Sequence, residues 1–245
     1  MGALFGIWTW LAFAVISIIG FCVSLVAFLL TFPFDPNRYV TGRCIRAVGR
    51  LMCAATPVWK LSYQTPVPAG LPERCVCVSN HCSNIDPFLL IHLPWEMKFL
   101  AKASLFQIPF IGWGMKIAGD ISLVRGSGRS ARAALLTAGR YIERGMPVLF
   151  FPEGTRSQDG ELLPFKDGAF RLAIEKGAAV LPIAIAGTST ALKKGDWKPS
   201  RAHGTCLVGQ PIPSVGRGED ALVQLKAESR AAILELKRQL AERGY

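Results

Sequence analysis

Cys75-Val76-Cys77-Val78-Ser79-Asn80-His81-Cys82-Ser83-Asn84-Ile85-Asp86-Pro87 reads as one local unit: a short apolar strand, a polar turn and the first turn of a helix. Asp86 stands directly before Pro87, which predicts Asp86 as the helix N-cap with proline at the first helical position. A carboxylate five residues after a histidine, across so tight a turn, can fold back onto one imidazole nitrogen. That contact would fix the tautomer of His81 and leave the other nitrogen free as a base near neutral pH. Taken alone the His-x4-Asp spacing is a weak pattern, and a capping aspartate beside an unrelated histidine explains it equally well.

Outward from this unit the same alternation continues. Short apolar runs at 98–101, 121–124, 148–151 and 180–186 read as strands, and the segments 87–92, 109–117, 130–144 and 169–176 read as helices, two of them stopped by Gly145 and Gly177. Strands alternating with helices predict an α/β domain: a largely parallel sheet flanked by helices. A last helix over 220–242 carries Leu222, Leu225, Ile233, Leu236 and Leu240 at helical spacing, a packing face.

The N-terminal third has a different character. Met1 to Phe34 contains no charged residue, and Ala3 to Phe32 is almost continuously apolar, longer than the roughly 20 residues a helix needs to cross a bilayer core. A signal peptide wants a basic n-region, an apolar stretch of about 7–15 residues and a cleavage site, so an uncleaved, membrane-embedded helical anchor over 1–34 is expected instead. A run interrupted at Gly20 suits either one tilted helix or two short helices dipping into one leaflet. Arg38, Arg43, Arg46 and Arg50 follow at once, so the rest of the chain is expected on the cytoplasmic face, that of the inner membrane if the source is bacterial. Residues 35–60 then read as a basic interfacial helix and connector, with Arg43, Arg46 and Arg50 on one face. That face either lies on an anionic leaflet or is solvated while the helix packs on the domain. Residues 61–245 form the α/β domain.

The formal net charge is +11, from 28 Lys and Arg against 17 Asp and Glu, so anionic partners are expected: membrane phospholipids, a phosphorylated substrate, coenzyme A or an acidic carrier protein. Nucleic acid is not among them, because the basic residues are dispersed and no nucleic-acid module is present. Seven scattered cysteines fit reduced thiols better than a disulfide framework, and Cys75, Cys77, His81 and Cys82 match no zinc spacing, so no metal is expected.

About seventy residues after His81 stands Phe151-Pro152-Glu153-Gly154-Thr155-Arg156, directly after an apolar strand. It sets a carboxylate, a flexible backbone and a guanidinium at the carboxyl edge of the sheet, where ligands collect in open α/β sheets. Arg156 and the turn at Gly154 can hold a phosphate, and Lys166 adds a second cation. Glu153 and Arg156 paired with each other for no catalytic purpose is the plainer alternative. Ser79 and Ser83 flank His81 and invite a Ser-His-Asp hydrolase, but no Gly-x-Ser-x-Gly elbow is present. His92 ends an apolar helix and His203 lies in a polar stretch; both read as structural or exposed.

With both blocks in view, the chain resembles the glycerolipid acyltransferases of the 1-acyl-sn-glycerol-3-phosphate acyltransferase type, over about residues 74–190. The Asn-His-x4-Asp motif falls on Asn80, His81 and Asp86, the Phe-Pro-Glu-Gly-Thr-Arg motif on Phe151 to Arg156, and a hydrophobic strand with internal proline on Val180-Leu181-Pro182-Ile183. The family's Gly-x-Ile-x-x-Asp-Arg is departed from: Gly119, Ile121 and Arg125 are kept, but Val124 occupies the acidic place. The resemblance implies acyl transfer from acyl-CoA or acyl-carrier protein to the sn-2 hydroxyl of lysophosphatidic acid, giving phosphatidic acid, without a cofactor. His81 would be the base, oriented by Asp86. Asn80, Arg125, Glu153, Gly154, Thr155, Arg156 and Lys166 would bind the acceptor, with Glu153 orienting Arg156 or a glycerol hydroxyl because a carboxylate repels phosphate. Val124 puts the identity of the acceptor in question more than the reaction. Another lysophospholipid, glycerol 3-phosphate or a lyso-aminolipid remains an alternative acceptor, and a catalytically silent lipid-binding protein an alternative class.

Overall fold

The computed structural model describes residues 2–192, 196–217 and 219–245. Elements follow in the order α1 (Ala3–Thr31), α2 (Tyr39–Ala54), β1 (Trp59–Tyr63), β2 (Cys75–Ser79), α3 (Asp86–Leu90), β3 (Lys98–Lys102), α4 (Ile111–Ile117), β4 (Ile121–Leu123), α5 (Gly128–Glu143), β5 (Val148–Phe150), α6 (Gly168–Lys176), β6 (Ala179–Ala186), β7 (Ala202–Val208) and α7 (Ala221–Glu242). Among the described residues seven strands form one sheet, in the order β1-β7-β6-β2-β5-β3-β4. Every neighbouring pair is parallel except β6 with β7. The expected α/β architecture with a largely parallel sheet is therefore present.

β2 lies between β5 and β6 and is buried along its whole length, so its side chains feed two cores. Val76 and Val78 pack with α5, α6 and α7 on one face, whereas Cys75 and Cys77 pack with Leu89, Leu90 and Met97 on the other. Pro182 sits in the interior of β6 without breaking the sheet. Its carbonyl accepts from Gly209 N beyond the end of β7, and the β6–β7 ladder begins one residue later at Ile183, so its missing N–H costs at most a bond at the very end of that ladder.

Two strands escape the sequence reading. β1 lies in what reads as a connector, and β7 in what reads as a polar stretch around His203, because each is short, mixed in polarity and bounded by prolines or glycines. Both run opposite to the other five strands, which brings their N-terminal ends to the carboxyl edge of β2 and β6.

α1 is a single unbroken helix of 29 residues, about 43 Å long at 1.5 Å per residue. Two short helices over Ala3–Phe32 are thereby excluded; Met1, the first residue of the expected anchor, lies outside the described residues. Gly20 is a point of close packing rather than a break, since a Cβ there would meet the Val48 side chain at 2.4 Å. α1 is long and apolar enough to cross a membrane and only 17% of its most apolar window is buried, which makes it a candidate anchor.

α2 packs on the domain, as one reading has it, but its arginines are engaged by that domain rather than left to water or a leaflet. Arg46 is buried, donating to both Asp120 oxygens at 2.9 and 2.5 Å and to the Met97 carbonyl. Arg43 donates to Pro94 O and Arg50 to Ile91 O. Lys98 and Glu96 complete the network, with burial pulling the lysine below its ordinary range and pushing the carboxyl above its own. The basic face is turned into the domain because its partners, tens of residues distant in sequence, arrive there through β3 and β4.

Candidate active site

β2 ends at Ser79, and the turn after it carries Asn80 and His81 at the carboxyl edge of the sheet. Asn80 is buried and bridges to β6: its amide donates to Ile185 O at 3.0 Å and its Oδ1 accepts from Ile185 N at 2.7 Å. It staples two strand ends together, and both of its side-chain polar atoms are occupied.

The Asp86 carboxylate folds back onto His81 as the spacing suggested, with Oδ2 2.7 Å from Nδ1. The same oxygen accepts from Cys82 N and Ser83 N at 2.7 and 2.8 Å, and Oδ1 accepts from the Thr188 hydroxyl at 2.6 Å. Asp86 therefore organises the turn behind it rather than capping the helix ahead, where it occupies the first turn. Surrounded by donors, the carboxylate acts as acceptor, so Nδ1 carries a hydrogen toward it, and Nε2 is left without a hydrogen-bond partner among the described residues. The imidazole stacks on Phe151 with ring centroids 4.1 Å apart, which holds its plane.

Glu153 has a part different from the one expected of it. It is buried, with Oε1 accepting from His81 N at 2.8 Å and Oε2 from Leu163 N at 2.9 Å. It makes no hydrogen bond or ion pair with Arg156. Burial raises its carboxyl above the ordinary range, and the two backbone N–H donors oppose that rise. Ser157 N donates to His81 O at 2.8 Å, so the histidine backbone is fastened to the loop after β5 on both sides.

The remaining candidates form a rim. Gly154 adopts φ +69°, and a Cβ there would come within 2.7 Å of Lys166 Nζ, so glycine lets the lysine lie across this turn. Thr155 and Lys166 are exposed and Arg156 half-buried, while exposed Arg125 follows β4 on the same side of β2. Among the described residues the side chains of Arg125, Arg156 and Lys166 make no hydrogen bond or ion pair.

Neither serine near His81 is a nucleophile positioned on it: Ser79 Oγ donates to Asn80 O, and Ser83 Oγ accepts from Ile85 N. The Cys82 thiol is pushed up to about 12 by burial and by the Asp86 carboxylate, far from thiolate character at neutral pH. The sequence reading missed Thr188. It follows β6 in an unremarked Gly-Thr-Ser, is fully buried, and only the fold brings its hydroxyl to Asp86.

Residues 61–186 match the family model described as Acyltransferase. The chain belongs to the acyltransferase family. It is 44% identical over 161 residues to a chloroplastic 1-acyl-sn-glycerol-3-phosphate acyltransferase of Brassica napus, covering 66% of this chain and 46% of that one. A namesake from Chlamydomonas reinhardtii is 34% identical, covering 87% and 64%. The chain thus spans about half to two thirds of the length of these relatives, whereas the Escherichia coli enzyme of that name, 27% identical, is matched over 91% of both chains. The fold is that of the 1-acyl-sn-glycerophosphate (LPA) acyltransferase PlsC from Thermotoga maritima, with a TM-score of 0.77 at 24% identity over 96% of this chain and 95% of the other.

Proposed function

We propose that this acyltransferase moves an acyl chain from a thioester, acyl-CoA or acyl-carrier protein, to the sn-2 hydroxyl of 1-acyl-sn-glycerol 3-phosphate, forming phosphatidic acid. The observation that carries the reading is the His81–Asp86 pair at 2.7 Å, with Nε2 free beside an unpaired cationic rim. His81 Nε2 takes the hydroxyl proton as the acceptor oxygen attacks the thioester carbonyl. The tetrahedral adduct then collapses, the C–S bond breaks, and the leaving sulfur departs with the proton that His81 has held. No covalent acyl-enzyme is required. Arg125, Arg156 and Lys166 hold the acceptor phosphate, arginine by paired hydrogen bonds, with Gly154 allowing close approach. Asp86, Asn80 and Glu153 position the base and its loop.

Reaching the acceptor in a membrane is the task of α1. Its outward residues are large and apolar, Leu4, Leu11, Ile19 and Leu30 among them, and Trp113 and Ile108 extend that surface from around α4. The helix touches the domain along its length: Trp10 Nε1 donates to Trp197 O at 2.7 Å, Phe13 packs on Trp59, and Phe21 on Trp113. Beyond its C-terminal end, Lys98 Nζ donates to Arg38 O. A helix fastened to one domain at both ends suits an anchor lying in one leaflet, with the catalytic domain on the cytoplasmic face.

Thiol release from acyl-CoA and from acyl-carrier protein, with and without lysophosphatidic acid, tests the reading when lipid products are identified by mass spectrometry. Acceptor-dependent release yielding phosphatidic acid is expected. Release that ignores the acceptor would instead mark a thioesterase, and transfer only to another lysolipid would move the substrate assignment.

A further inference from the structure

A second group of basic side chains lies at the same sheet edge as His81, two and three strands from β2 on the side away from the rim. Because β1 and β7 run opposite to β2 and β6, their first residues emerge at the carboxyl edge of the sheet and bound an open cleft of about 690 Å³. Lys60, Thr190, Arg201 and His203 line it, and among the described residues no acidic side chain does. Lys60 and His203 are register partners on adjacent parallel strands, and Arg201 precedes His203 by two, so all three belong to one face. Each is exposed, and among the described residues none of the three side chains has a hydrogen-bond or ion-pair partner.

The opposite face at this edge is set by Trp59 and Ala202, which pack with Phe13 of α1. The basic face is consequently turned away from the anchoring helix, toward water. Thr190, which lines the cleft, is two residues beyond Thr188, whose hydroxyl donates to Asp86, itself bonded to His81. Acyl transfer as read above joins two phosphate-bearing substrates, and Arg125, Arg156 and Lys166 all belong to the β5 and β4 side of β2. One phosphate clamp on each side of β2 would let both substrates bind without competing.

We infer that the cleft at Lys60, Arg201 and His203 binds the phosphate of a phosphopantetheine thioester and so holds the acyl donor, an assignment that rests on the acyl-transfer reading. The donor enters from water over the ends of β7 and β6, while the acceptor enters from the lipid side.

The test is a Lys60→Ala/Arg201→Ala double variant of the full chain, checked for an unchanged thermal unfolding midpoint. KM would be measured for palmitoyl-CoA, for palmitoyl-carrier protein and for the phosphate-free palmitoyl thioester of N-acetylcysteamine. A rise of about tenfold is expected for a phosphate-bearing donor, since two charge-assisted contacts are removed, with KM for lysophosphatidic acid and for the phosphate-free donor unmoved. A rise with CoA alone assigns the site to the free cofactor, and a rise with the carrier thioester assigns it to the carrier-borne arm; either upholds the site. Unchanged KM for both donors, or an equal rise with the phosphate-free thioester, overturns it. Should the wild type transfer no acyl group at all, the acyl-transfer reading fails, and equilibrium binding of CoA and of holo-carrier protein decides the cleft. Binding lost in the double variant upholds the phosphate site, and no binding to the wild type overturns it.

Discussion

Asn80, Asp86 and Glu153 are buried with every side-chain polar atom hydrogen-bonded, whereas the side chains of Arg125, Arg156 and Lys166, proposed above for the same site, make no hydrogen bond or ion pair among the described residues. The first group binds the protein to itself; the second is left for a ligand. Burial explains the split. A carboxylate or amide removed from water must find partners inside, and once saturated it has nothing to offer a substrate, while a cation in or near solvent keeps its hydration until a phosphate displaces it. His81 stands at the boundary, one ring nitrogen committed to Asp86 and the other free.

The largest effect expected across this boundary is from His81→Ala, which should lower kcat by about 10²–10⁴-fold with the thermal midpoint retained. Near-normal turnover in a folded variant would erase the distinction between His81 and its saturated neighbours. Glu153→Ala comes next. It orphans two buried N–H donors, each costing about 1–3 kcal/mol, partly offset by relief of the carboxylate's own burial. A stability loss of about 2–4 kcal/mol by denaturant titration is expected, with a fall in kcat and little change in KM for the acceptor. A variant that instead raised only acceptor KM would return Glu153 to the substrate-binding set.

Arg156→Ala should do the reverse: about a tenfold rise in acceptor KM, relieved little by Arg156→Lys because a lysine cannot pair two phosphate oxygens in one plane, and no shift in unfolding midpoint. Loss of stability would place Arg156 with the scaffold. Smallest is Thr188→Val, which keeps the shape but removes one donor to Asp86. About 1 kcal/mol of stability and a several-fold drop in kcat are expected, and a pH–rate profile moved in the variant would tie the hydroxyl to the base rather than to packing alone.

Much of this molecule was legible in one dimension. The apolar runs that became β2, β3, β5 and β6 lie within a residue or so of where their composition puts them, because strand period, glycine stops and proline starts are local preferences. The fold of Asp86 onto His81 was legible for the same reason: five residues across a tight turn leave the carboxylate few other places to go. The N-cap expectation failed at the same residue, because the turn's own backbone donors and Thr188 compete for those oxygens.

Residues alone therefore determined the α/β class, the apolar helix at the N-terminus, the His81–Asp86 pair and the cationic block around Arg156. Only tertiary structure decided that α1 is one helix laid against the domain, that the arginines of α2 turn inward to Asp120 and nearby carbonyls, and that Glu153 and Asn80 are fasteners. It also decided that β1 and β7 reverse direction and bring Lys60, Arg201 and His203 to the edge where His81 stands. Side chains with oxygens or guanidinium groups can satisfy many partners, and which one they take depends on groups that arrive from 51 to 105 residues away. Local sequence sets what each segment is, and long-range burial sets which polar atoms are consumed and which are left to bind.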